Sequence, residues 1–75
     1  MRDGVIYIRT SDSCRELCLN GEVLEMLKLA DIYDLIDQCL LIVKENGGTI
    51  YIGATAIHCD KEAARELSLQ CLCCL

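Results

Sequence analysis

The fold is decided by residues 31–52, DIYDLIDQCLLIVKENGGTIYI. In the first part of this segment, apolar residues recur at three- and four-residue spacing, and charged or amide side chains take most other positions. This pattern predicts an amphipathic helix, with Asp31 as its N-terminal cap. Asn46, Gly47 and Gly48 are residues that adopt the left-handed conformation where helices end. Because Thr49–Ile52 is rich in β-branched and aromatic side chains, we expect a strand to follow immediately.

Two further elements are indicated on either side of this segment. Gly4–Thr10 carries β-branched and aromatic residues between turn formers, which predicts a strand. Ala56–Cys59 is interpreted as a loop, after which Asp60 is placed to cap a second helix. In residues 67–75 a strand-like alternation competes with a helical stripe, and we favour the helix because no turn residue separates the two patterns.

Residues 11–29 are harder to assign. Ser11 or Asp12 is placed to cap a short helix that begins near Cys14, but Asn20-Gly21 is also the strongest short signal for a hairpin turn. The sequence leaves these two interpretations open. Glu22–Leu29 consists largely of good helix formers, which predicts a separate short helix.

Together these elements predict one small α/β domain over residues 1–75, with a short parallel sheet flanked by helices. A chain of 75 residues forms a single core and buries a smaller fraction of its surface than a larger protein. Its hydrophobic content is nevertheless 53%. We therefore expect a second subunit, or another small protein, to cover part of the apolar surface.

Charge and composition exclude several classes of partner. The formal net charge of -5 repels phosphate backbones and anionic lipid surfaces, and with three Tyr and no Phe or Trp the chain offers few platforms for base stacking. The longest apolar run, Cys39–Val43, is far shorter than the roughly 20 residues of a membrane-spanning helix. The first ten residues lack the pattern of a signal peptide. We expect a cytoplasmic protein that binds neither nucleic acid nor a membrane and carries no cofactor.

Seven cysteines in 75 residues are the strongest pointer to chemistry. In the cytoplasm most thiols stay reduced, and an odd number leaves at least one thiol outside any disulfide within a monomer. Cys39 lies on the apolar face of the predicted main helix, so packing is its simplest explanation. Cys14 and Cys18 are interpreted as core residues or a structural disulfide.

His58 and Cys59 form the first candidate site. They follow the second predicted strand, and open α/β sheets place their sites at the carboxyl ends of strands. A neighbouring imidazole, or the N-terminus of the helix capped by Asp60, lowers the pKa of a thiol. We therefore expect Cys59 to form a thiolate, with packing in a loop or core as the simpler alternative.

The second candidate site lies in the segment Cys71-Leu72-Cys73-Cys74. Neighbouring thiols exchange with disulfides and persulfides and bind soft metals. Cys73 and Cys74 are accordingly predicted to be acceptor or resolving thiols. The alternative is that they pack as small hydrophobic side chains.

Ala30–Cys39 and Glu45–Ala54 together resemble the late segment of the DsrE-like sulfur-relay and peroxiredoxin-like small proteins. The resemblance covers about half of the chain and implies a three-layer α/β fold, oligomerisation and persulfide transfer between protein thiols. In that family the reactive cysteine follows the strand directly, where this chain has Gly53 and Ala54. Cys59 would have to take its place.

Three hypotheses for function follow. The leading one is sulfur relay or redox handling through Cys59. The alternative is a non-enzymatic, oligomerising protein-interaction module with structural cysteines, in which an apolar C-terminal segment packs on a partner or on itself. The third is binding of zinc or copper by the tail cysteines with His58.

Overall fold

The computed structural model describes residues 4–11 and 14–75. Within these residues the elements, in chain order, are β1 (Ile6–Thr10), β2 (Arg15–Leu19), β3 (Glu22–Leu27), α1 (Leu29–Glu45), β4 (Gly48–Ile52), β5 (Thr55–Cys59) and α2 (Lys61–Cys73). The strands form two antiparallel sheets, one with the order β1-β2-β3 and one containing β4 and β5.

The predicted parallel sheet is therefore wrong, although the small α/β composition is correct. Turns of two residues join β2 to β3 and β4 to β5, and so short a connection permits only antiparallel pairing, because a parallel pair needs a long crossover. Between β1 and β2, the Ser11 and Cys14 backbones bond to each other in both directions. Asp12, one of the two predicted caps, lies outside the described residues, as do residues 1–3.

The turn at Asn20 and Gly21 decides between the two interpretations of residues 11–21. Both residues have positive φ, 51° and 88°, as a type I′ hairpin turn requires. The alternative of a short helix near Cys14 is wrong, as is the predicted helix over Glu22–Leu29, since Glu22–Leu27 is β3. Pairing with β2 outweighs the weak helix propensity of this segment.

The other two predicted helices, the main helix and the helix capped by Asp60, are present, with one shifted boundary. α1 begins at Leu29, with Lys28 as its cap, and Asp31 accepts a hydrogen bond from the Lys28 N–H at 2.8 Å instead of acting as the cap itself. Its predicted end is confirmed, because Asn46 is left-handed with φ 65°. The predicted Asp60 cap is also confirmed: its carboxylate accepts from the Ala63 N–H at 2.7 Å.

α2 continues through Cys73, so the helical interpretation of the tail is correct. By contrast, the predicted loop over Ala56–Cys59 is part of β5. The sequence signal for this hairpin is Gly53, which has φ 55° at the first turn position, where hairpins of the Gly-X type place glycine.

One hydrophobic core joins the two sheets and the two helices. The helices pack against each other, while α2 also contacts β1 and α1 contacts β3 and β4. The residues that are completely buried come from five elements and include Leu17, Ile32, Leu35, Cys39, Ile50, Ile57, Ala64, Leu67 and Cys71. No strand pairing connects the two sheets within the described residues.

One glutamine side chain of each helix forms hydrogen bonds with the backbone of an edge strand. The Gln38 amide accepts from the Tyr51 N–H and donates to the Tyr51 carbonyl, both at 2.8 Å. Gln70 accepts from the Ile8 N–H at 2.7 Å. Because an edge strand presents unpaired backbone groups, these amides take positions that a neighbouring strand would otherwise fill.

Among the described residues, neither helix has the length and apolar character needed to cross a membrane.

The type I′ turn gives a test of the antiparallel meander. We expect Gly21→Ala to lower the free energy of unfolding by roughly 1–2 kcal/mol, because an L-residue resists positive φ. A Cβ at this position has no heavy atom within 4 Å, so crowding contributes nothing. Urea denaturation of the two proteins measures the difference.

A chain made by chemical synthesis with D-alanine at position 21 is the matched control. It carries the same methyl group but prefers positive φ, so its stability should equal or exceed that of the parent. Equal destabilisation by both alanines would contradict the turn assignment.

Candidate thiol site

His58 and Cys59 are neighbours in sequence but lie on opposite faces of β5. Side chains alternate along a strand, and here His58 is exposed whereas Cys59 is 1% exposed. The imidazole therefore projects to solvent, while the thiol enters the core. The predicted pairing of these two side chains is not formed.

The environment of Cys59 favours the protonated thiol. Burial raises its pKa to about 11, and the negative charge of Asp60 adds to the effect. The expectation that His58 and the N-terminus of α2 lower this pKa is therefore wrong. Burial is the larger cause, and the negative charge of Asp60, which caps the helix, further disfavours the thiolate form of Cys59.

Cys59 belongs to a buried thiol cluster with Cys39 of α1 and Cys71 of α2. All three are at most 1% exposed. Burial raises the pKa of Cys39 to about 12, with further contributions from the neighbouring Cys71 and Cys59. The pKa of Cys71 is raised to about 11 by burial and by Cys74. The three side chains thus belong to one apolar core, to which α1, β5 and α2 each contribute a cysteine.

In this setting the cysteines act as small apolar side chains. Packing was the predicted role of Cys39. Sequence reasoning missed that residues from α1, β5 and α2 converge, because their separation along the chain gives no local signal. Assigning Thr55–Cys59 to a strand with alternating faces would have placed Cys59 on the buried side.

Sequence reasoning also passed over one Cys-x-x-Cys spacing, formed by Cys71 and Cys74. Redox-active pairs of this kind depend on a helix N-terminus to stabilise the thiolate. Here the pair lies at the C-terminal end of α2, where the helix dipole disfavours negative charge. Burial, with a smaller contribution from Cys74, also raises the pKa of Cys71.

Cys73 and Cys74 are the accessible thiols of the predicted site. Cys73 is exposed and Cys74 is half-buried. Both line a groove of about 280 Å³ between β1 and α2, together with Ile8, Thr10, Glu66, Leu69 and Gln70. The end of α2 is held in place by Arg15 of β2, whose Nη2 donates to the Cys74 carbonyl at 3.0 Å.

The structure thus separates the four predicted residues. His58 projects to solvent, Cys59 is in the core, and only Cys73 and Cys74 share a groove. Cys18, predicted to be a core or disulfide residue, is a buried thiol on β2. Within the described part of the chain, no three His, Cys, Asp or Glu side chains are arranged to hold a metal ion.

Comparisons with known proteins found no relative: no family model, curated protein or solved structure matches the chain.

Burial predicts a large difference in reactivity between thiols. With iodoacetamide at neutral pH, we expect Cys73 to be alkylated first, and Cys39, Cys59 and Cys71 at least about a hundredfold more slowly, since they react only when the core opens. Peptide mapping by mass spectrometry at successive times measures each rate. In denaturant all should react alike, and Cys73→Ser should remove the fastest phase. Native labelling of Cys59 as fast as that of Cys73 would contradict the packing role.

The raised pKa values also predict how stability depends on pH. Because the folded-state pKa of Cys39 is about 12, above the ordinary value of 9.0, its contribution is fully present below pH 9 and is lost as pH rises from 9 towards 12. We expect each buried thiol to remove roughly 1 kcal/mol from the free energy of unfolding between pH 8 and pH 10.

The measurement is urea denaturation of the parent and of Cys39→Ala at both pH values. Cys39→Ala should be less stable at pH 8 but should lose less stability on going to pH 10. Identical losses in the two proteins would show that Cys39 does not contribute to the pH dependence.

Proposed function

We propose that this chain is a non-enzymatic protein-interaction module that associates with a second copy of itself through α1, and that its buried cysteines are packing residues. The observation that carries this proposal is a row of large apolar side chains that the fold leaves exposed on α1. The thiol chemistry proposed for Cys59 has weaker support, because its sulfur is buried and its pKa is raised to about 11.

The exposed row consists of Leu29, Tyr33 and Leu40, which we name the α1 stripe. Their exposed fractions are 51%, 54% and 60%. Spacings of four and seven residues place them within about 40° of one another around the helix axis. Ile36 lies in the same row and is half-buried against the core. The stripe therefore extends the buried face of α1 out to the surface.

Exposure of this kind is typical of an interaction surface. Isolated surface leucines are ordinary, whereas an aligned row on one helix provides a contiguous apolar patch. The helix carries this row beside the residues that already pack in the core, Ile32 and Cys39. Covering it with another apolar surface removes side chains from water without disturbing the fold.

A second copy is the occupant that the stripe fits best. A two-fold dimer brings the same patch of each subunit together, so a row of apolar residues is complementary to itself. The stripe contains no charged side chain, so the acidic residues of the two subunits can stay at the solvated rim. Two copies of α1 packed along their stripes would bury these side chains in one interface.

Thiol exchange at Cys73 and Cys74 is the second candidate function. It is favoured by one observation: Cys73 is exposed and shares a groove with Cys74. In a sulfur relay of this kind these two residues, and not Cys59, would accept the transferred sulfur. The alkylation series described above distinguishes reactive tail thiols from the buried cluster.

The α1 stripe is tested by analytical ultracentrifugation. We expect Leu40→Gln to raise the dimer dissociation constant at least about tenfold, because each subunit loses a leucine from the apolar contact. Circular dichroism should show an unchanged fold, since Leu40 is 60% exposed.

The matched control is Leu72→Gln, which changes a leucine of similar exposure, 56%, near the end of α2. It should leave the dimer intact. If Leu72→Gln dissociates the dimer and Leu40→Gln does not, the C-terminal segment is the interface and the assignment to α1 is wrong. A monomer at all concentrations would remove the self-association proposal altogether.

A further inference from the structure

One edge of the three-stranded sheet is unpaired in the described part of the chain. β1 pairs with β2 on one side only, and no strand lies on its other side. The Asn20 N–H donates to the Val5 carbonyl at 2.9 Å, so the backbone carbonyl of Val5 points towards the β2–β3 hairpin. Along an antiparallel strand, the backbone N–H and C=O groups of successive residues point to alternate sides. Those of Ile6 and Ile8 therefore point to the unpaired edge.

The direction of the edge is confirmed by Gln70, which accepts from the Ile8 N–H at 2.7 Å. The donor therefore points away from β2 and towards α2. An N–H at the edge of a sheet is where an added strand places a carbonyl oxygen. Gln70 thus provides, from within the chain, the acceptor that an added strand would bring.

A long groove lies between this edge and α2. On one side of Gln70 is the groove of about 280 Å³ described above. On the other side is a groove of about 460 Å³, lined by residues 4–7 of the β1 region and by Asp60, Glu62, Ala63, Glu66 and Gln70 of the α2 region. Glu66 and Gln70 line both cavities, which therefore adjoin along β1 with the Gln70 amide between them; we name the two together the β1–α2 groove.

The helical wall of the β1–α2 groove is negatively charged. Asp60, Glu62 and Glu66 are exposed along its helical wall, and none of its lining residues in the described part of the chain is basic. Glu62 has a weak ion pair with Arg65 at 3.6 Å, but both side chains are largely exposed. The other wall is apolar, with Val5 70% exposed. The groove therefore combines backbone hydrogen-bonding groups, apolar surface and negative charge.

We propose that the β1–α2 groove binds an extended basic segment of a partner protein, which adds a strand to the edge of β1 and displaces the Gln70 amide. Lys or Arg side chains of this segment alternate with small apolar ones, so that cations face Glu62 and Glu66 while apolar groups contact Val5. The groove shares no residue with the α1 stripe, so this proposal goes beyond self-association and stands independently of it.

A second copy of the chain is a poorer occupant of this groove. Pairing two β1 edges would bring two acidic helical walls together, and like charges at an interface oppose association. Negative charge instead attracts a cationic segment and speeds its association at low salt.

The probe is an acetylated and amidated peptide of sequence Lys-Val-Lys-Val-Lys, titrated into the ¹⁵N-labelled protein at low salt. We expect the largest amide shifts at Ile6 and Ile8. The same peptide methylated at its internal backbone nitrogens cannot donate to the edge and should not bind. A Glu-Val-Glu-Val-Glu peptide should not bind either.

Two pairs of variants locate the interaction. The double variant Glu62→Gln with Glu66→Gln should weaken binding by about fivefold. The double variant Asp37→Asn with Glu45→Gln removes the same charge from α1 and should leave the affinity for the peptide unchanged. Gln70→Ala frees the Ile8 N–H and should strengthen binding by roughly three- to tenfold. Gln38→Ala, which changes the glutamine at the β4 edge, should leave the amide shifts at Ile6 and Ile8 unchanged.

Several results would overturn the proposal: no binding of the basic peptide, equal binding of the methylated or acidic peptide, or shifts confined to residues outside the groove. Amide shifts at β1 that depend on protein concentration without peptide would show that a second copy occupies the edge. Since the α1 stripe is tested by Leu40→Gln in the ultracentrifuge, failure of either proposal is recognised separately.

Discussion

The packing of α1 against α2 is the interaction on which the rest of the structure depends. In the described residues the two sheets share no strand pairing, so they are held in one body by side chains, chiefly those of the two helices. A side-chain hydrogen bond from Thr55 to Glu25, at 3.0 Å, adds a direct link between β5 and β3. The completely buried cysteines Cys39 and Cys71 lie at the meeting point of the helices, where small side chains allow close approach.

This arrangement explains why so many cysteines need not indicate catalysis. A chain with no Phe or Trp and few aromatic residues must fill its interior with aliphatic side chains and sulfur. The thiol cluster is apolar while protonated, and burial keeps it protonated at neutral pH. Among the described cysteines, Cys73 is exposed and Cys14 and Cys74 are half-buried, so we expect Cys73 to be the most reactive thiol.

The sequence was sufficient to predict α1 and α2, but it was insufficient to predict the pairing of the strands. The period of α1, its Asn46 terminator and the Asp60 cap are local features, and each is where it was predicted to be or within a few residues of it. Glu22–Leu29 was predicted to be helical from its composition, but Glu22–Leu27 is a strand, because its pairing depends on residues distant in the chain. Of the candidate site, Cys73 is exposed, as its predicted role as an accessible thiol requires, but the burial of Cys59 could be predicted only by recognising β5.

Gln38 has a consequence for how the length of α1 can vary. Its side-chain amide forms two hydrogen bonds with the Tyr51 backbone. These bonds depend on the eight residues from Gln38 to Glu45, because their number fixes the direction of the Gln38 side chain around the helix axis relative to the turn that leads to β4. One residue inserted into this stretch would rotate Gln38 by about 100° about the helix axis. The edge of β4 would then be open to pairing with other chains, a route to aggregation. The number of residues between Gln38 and the end of α1 therefore affects solubility as well as packing, although the Gln38 side chain is not part of the core.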